Sequence, residues 1–99
     1  MNLKPQYVID KFKQFPFCSQ DGRGADAEVI VKYFNPFGAG TWLITEAELQ
    51  EDGEWLLFGL CHIFEWEWGY VSLSELESLG FIEIDLHTGE HPTIKELTR

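Results

Sequence analysis

The period of the hydrophobic positions changes several times along the chain, and each change marks a different element. In Leu3-Lys4-Pro5-Gln6-Tyr7-Val8-Ile9-Asp10-Lys11-Phe12 the apolar pairs Val8/Phe12 and Ile9/Phe12 have the spacing of one helix face, with Pro5 at a first helical position. That helix must stop by Phe15-Pro16, because the residue before a proline is pushed out of the helical region. Ser19-Gln20-Asp21-Gly22-Arg23-Gly24 has no apolar period and reads as a loop. It lacks the Lys-Ser/Thr ending of a phosphate-binding loop and leads into a strand, so its two glycines do not argue for phosphate.

From Val29 the period becomes 2. Val29–Phe34 and Thr41–Glu46 are rich in β-branched and aromatic residues, and Asn35-Pro36-Phe37-Gly38 between them has the Asn, Pro and Gly placement of a type I turn. The two should pair as a hairpin. An acidic turn, Glu51-Asp52-Gly53-Glu54, leads into Trp55–Phe64, which is apolar on both alternating faces and so is expected to be the central strand. Glu65-Trp66-Glu67-Trp68-Gly69-Tyr70 alternates acid or glycine with aromatic residues, as in a strand with one wet face.

Ser72 and Glu75 form a capping box ahead of the Leu73, Leu76, Leu79 stripe, and Gly80 can close that helix. Phe81–Leu86 alternates once more, with Ile82, Ile84 and Leu86 inward, and Thr93 with Glu96 offers a second capping box for a terminal helical turn. The expected fold class is α+β: a mainly antiparallel sheet of about five strands with short flanking helices at the N-terminus, after the fourth strand and at the C-terminus. Its core should draw on Val29, Val31, Tyr33, Trp42, Ile44, Leu57, Phe58, Leu60, Tyr70, Leu73, Leu76, Ile82 and Ile84.

With 99 residues the chain is expected to form a single domain, 1–99, and 44% hydrophobic residues set it apart from disordered sequences. No apolar run approaches the roughly 20 residues of a membrane span and the N-terminus lacks a signal-peptide pattern, so a cytoplasmic protein without a membrane partner is expected. Cys18 and Cys61 have no metal-type spacing and read as unpaired thiols in a reducing compartment. Charge changes the picture most. The formal net charge is −10, and between Tyr33 and Ile94 there are twelve Asp or Glu and no Lys or Arg, which argues against direct binding to nucleic acid.

Chemistry-bearing clusters are few. His87 and His91, with Glu83, Asp85 and Glu90 nearby, have metal-ligand chemistry, but Gly89 and Pro92 place them in a turn rather than on one helix face. His62 lies in an apolar strand and neither cysteine adjoins a base, so no nucleophile or general base is indicated, and no cofactor. The segment Phe64-Glu65-Trp66-Glu67-Trp68 carries two readings if it is extended. In one, the tryptophans are core residues and the glutamates, about 6.6 Å apart along the strand, are their solvated backs. In the other, aromatics beside acids form a binding edge for a cation-rich partner, with Glu51, Asp52 and Glu54 extending the acidic surface.

Over Ser19–Gly22, Lys32–Trp42, Thr45-Glu46, Phe58-Gly59 and Gly69–Leu76 the chain resembles a family of small acidic proteins carried by bacterial plasmids, phages and other mobile elements and catalogued only as a domain of unknown function. The resemblance brings no activity or catalytic residue. Similar proteins follow the last strand with an aromatic and a Lys-Pro segment, where this chain has His87-Thr88-Gly89-Glu90-His91-Pro92. The function expected from these readings is a non-enzymatic accessory protein of a mobile element. It would bind a protein with a basic surface, for example to inhibit a host defence enzyme in the manner of an anti-CRISPR or anti-restriction protein. The alternative is a small metal-binding protein or hydrolase using the His87/His91 loop.

Overall fold

Four local signals in the sequence become hydrogen bonds that fix where elements begin and end. The computed structural model describes all residues, Met1–Arg99. Helix α1 (Gln6–Gln14) starts after Pro5, whose carbonyl accepts from the Val8 and Ile9 amides, so Pro5 is the cap rather than the first helical residue. In the tight turn after strand β1 (Val31–Phe34), the Asn35 side chain accepts from the Phe37 amide and donates to the Ala39 carbonyl. Ahead of helix α2 (Leu73–Leu79), Ser72 Oγ accepts from the Glu75 amide and donates to Glu75 Oε1, and Gly80 ends the helix at φ +79°. Thr93 caps helix α3 (Ile94–Leu97) in the same way, through Glu96.

The remaining strands are β2 (Thr41–Leu49), β3 (Trp55–His62), β4 (Trp66–Ser72) and β5 (Glu83–Ile84). All neighbours are antiparallel, in the order β4-β3-β2-β1-β5. The α+β class, the five-strand antiparallel sheet and the three helices all agree with the sequence reading. One face of the sheet is covered by α1 and α2, and its core includes Val8, Phe12, Tyr33, Ile44, Leu57, Leu73 and Leu76. The other face carries a smaller cluster of Ala27, Val29, Leu43, Leu60 and Ile94, beside α3. No helix is long and apolar enough to cross a membrane.

The centre of the sheet is β2, not the Trp55–Phe64 segment. Six consecutive residues of β2, Trp42 to Ala47, are buried, although Thr45 and Glu46 are polar. A bulge lets this happen. Thr45 is the extra residue between the pairs Ile44/Gly59 and Glu46/Phe58, which shifts the register. Glu46 is then satisfied by the Cys18 and Gln20 amides, at 3.0 and 2.9 Å. The Gln20 side chain ties the same loop down by donating to the Glu28 and Thr45 carbonyls and accepting from the Glu28 amide. Next to the bulge, a Cβ on Gly59 would stand 2.0 Å from the Leu43 carbonyl oxygen, so only glycine allows the two strands to approach.

Several other expectations are corrected. Strand β3 ends at His62, and Ile63-Phe64-Glu65 makes the three-residue connection to β4, so Glu65 lies in a bend and not on the strand face with Glu67. Tyr70 is 66% exposed and Phe58 only half-buried, because the smaller cluster on their face does not extend across β4. Strand β5 has only two residues, leaving Leu86 67% exposed, and Leu79 at the end of α2 is also exposed.

Candidate functional site

Strand β4 is an outer strand of seven residues with β3 on one side and no strand on the other. Its side chains divide by parity. Trp66, Trp68 and Tyr70 stand opposite His62, Leu60 and Phe58 and so share one face. They line that face as an aromatic row in two packed groups: Trp68 stacks on Phe58 with centroids 5.7 Å apart and Tyr70 packs against Phe58 at 4.9 Å and edge-on to Phe17 at 5.6 Å, while Trp66 packs against His62 at 4.9 Å. Trp66 and Trp68 nevertheless remain 39% and 45% exposed. They are therefore not the core residues that one of the two sequence readings would have made them.

Glu67 stands opposite Cys61, which stands opposite the core residue Trp42, so Glu67 is on the helix-covered face. There a groove of about 750 Å³ runs between β4, the β3–β4 bend and α2. Leu76, Leu79 and Val71 give it apolar walls, and Glu65, Glu67 and Glu75 place three carboxylates in its lining. None of the three has a Lys, Arg or His at salt-bridge distance; the ion pairs of the chain are Lys4–Glu77, Lys11–Glu28, Lys32–Asp85, His91–Glu28 and Lys95–Asp26. At the mouth of the groove the bend presents Ile63, 48% exposed, and Phe64, 95% exposed.

The acidic residues singled out from sequence do not form one surface. Glu65, Trp66, Glu67 and Trp68 cluster at the bend, whereas Glu51, Asp52 and Glu54 occupy the turn at the opposite end of β3, eight strand residues away or about 26 Å. Glu51 and Asp52 are exposed there. Glu54 has a structural task, since its Oε1 accepts from the Ser74 amide in the first turn of α2, at 3.0 Å. Sequence reading missed Ile63 and Glu75, and it set Phe64 in an extended strand segment rather than in the bend. No local signal marked the bend, because Ile63 and Phe64 have the composition of a strand interior and neither glycine nor proline adjoins them.

Histidines and cysteines are dispersed. Nδ1 of His91 lies 3.3 Å from Glu28 Oε1, while His87 is held through its backbone amide, which donates to Asp85 Oδ1, so the two histidines are tied to different neighbours. No group of three or more His, Cys, Asp or Glu side chains converges in a metal-binding arrangement. Both thiols are free. The neighbouring Asp21 carboxylate pushes the Cys18 thiol up, and burial pushes Cys61 up to about 11, so neither is poised as a thiolate. Burial would raise the Asp85 carboxyl, but the His87 amide and the Lys32 ammonium outweigh it and hold the group below its ordinary value.

No curated protein and no solved structure matches the chain. A family model does match, over residues 8–90, most of the fold from α1 to the loop after β5. On that match the chain belongs to the family described as protein of unknown function DUF2958.

Proposed function

We propose that this is a non-enzymatic accessory protein that binds a protein partner with a basic surface, through the β3–β4 bend and the outer side of β4. One observation carries the reading. The largest concentration of exposed apolar and aromatic side chains, Ile63, Phe64, Trp66, Trp68 and Tyr70, lies against carboxylates that have no cationic neighbour in the chain. Exposed aromatics at a rim of unpaired charge have the composition of an interface, and a folded chain gains nothing in stability from leaving them in water.

A nucleic-acid-handling enzyme, including a host defence enzyme countered by a mobile element, is a partner class whose basic channel would accept this surface. Opposite charge would speed encounter, and the aromatic row would supply the desolvated contact. The test is capture from a bacterial lysate at about 50 mM salt with the wild-type protein and the Phe64→Ser, Trp66→Ser double variant as baits, eluting up to about 500 mM. The reading requires a basic protein held by the wild type, released as salt rises and lost from the variant. Equal retention by both baits would remove this surface from the interface.

A further inference from the structure

Resting on that partner-binding reading, we infer that the partner contributes an extended segment that adds to β4 as a sixth strand, with lysines or arginines at alternate positions facing the groove. The outer side of an edge strand exposes its backbone hydrogen-bonding groups. A row of unpaired amides and carbonyls recruits other chains, and proteins blunt it with lysine, proline, a bulge or a very short strand. β4 has none of these. It runs unbroken for seven residues, pairs with β3 in register without a bulge, and contains neither lysine nor proline. Its one charged side chain is Glu67, so the residue that would discourage an incoming strand also selects its sign.

The two sides of an added strand would meet different surroundings. Residues pointing to the helix-covered face would enter the groove, where Leu76 and Leu79 can pack the long stems of Lys or Arg while Glu65, Glu67 and Glu75 receive the charged heads. Residues of the other parity would continue the sheet face beside Trp66, Trp68 and Tyr70, which favours β-branched side chains and tolerates a further cation over a ring. Backbone pairing would supply affinity and the alternating pockets specificity, as in other strand-addition complexes. A second copy of this chain fits poorly. It would bring another Glu67 to the seam and another net charge of −10.

The probe is a blocked seven-residue peptide alternating lysine and valine, compared with the same peptide carrying proline at its central valine and with one alternating glutamate and valine. Binding is followed by amide hydrogen exchange across Trp66–Ser72 in the isotopically labelled protein. At a peptide concentration ten times the dissociation constant, exchange at the outward-facing amides of β4 should slow about tenfold. The proline and glutamate peptides should leave it unchanged, and Glu67→Lys should weaken the lysine peptide roughly tenfold. If the proline peptide binds as tightly as the lysine–valine peptide, strand addition is wrong while charge-driven partner binding stands. If no basic peptide protects β4, or if sedimentation shows a dimer whose β4 amides are already protected, the inference is overturned.

Discussion

The two edges of the sheet are built in opposite ways. β5 has two residues, the amide of Ile84 that would face outward is covered by Met1 Sδ at 3.0 Å, and the chain just beyond is fastened by Lys32–Asp85 at 3.2 Å. β4 has seven residues, no covering segment and unpaired carboxylates beside it. The same chain that closes one edge with the usual devices leaves the other open over its most aromatic stretch. Such a difference within one sheet points to use of the open edge, because the means of closing it are present elsewhere in the molecule.

The frame beneath the open edge gives the largest expected effect. Leu76 is 2% exposed and packs under the sheet while its helix walls the groove. Leu76→Ala should destabilise the fold by about 2 to 5 kcal/mol, seen as a lower denaturant midpoint. A wild-type midpoint would mean that α2 is not part of the frame.

The closed edge gives the next largest effect. With Asp85 held below its ordinary value, its pairing stabilises the fold at neutral pH, and this contribution is lost as pH falls below about 4 through the folded-state value. Asp85→Asn should cost about 0.5 to 1 kcal/mol at pH 7, and the cost should vanish in strong acid. Melting temperatures of both proteins between about pH 2 and 7 check this, and curves that stay parallel throughout would show that Lys32–Asp85 does not seal the edge.

At the open edge the expected stability effects are the smallest. Phe64 is 95% exposed, so Phe64→Ser should change stability by less than about 0.5 kcal/mol while weakening partner binding. A large fall in melting temperature would show the bend to be structural. Replacing Glu65 and Glu67 together with Gln should likewise leave the melting temperature unaltered and slow association with the captured partner. An unchanged association rate at low salt would remove these two carboxylates from the encounter surface.

What was legible in the sequence follows from how local each interaction is. The Ser72/Glu75 and Thr93/Glu96 caps and the Asn35–Gly38 turn are closed by residues two to four apart, and a short window of sequence contains both partners. The central position of β2 was not legible. It depends on Glu46 being satisfied by amides 26 and 28 residues away, without which a glutamate and a threonine read as solvent-facing. Of the candidate site, the aromatic and acidic alternation of β4 was visible, because strand parity alone separates Trp66 and Trp68 from Glu67. The bend was not, since Ile63 and Phe64 have the composition of a strand interior and only the pairing of His62 with Trp66 shows that the chain reverses there.

The most direct test of the account is a titration of the captured basic partner into the isotopically labelled protein, following every backbone amide. The account predicts changes concentrated in Ile63–Ser72 and the adjoining face of α2, with β5 and the Lys32–Asp85 region silent. Changes centred on β5, α3 or the Glu51–Glu54 turn, with β4 unaffected, would contradict it.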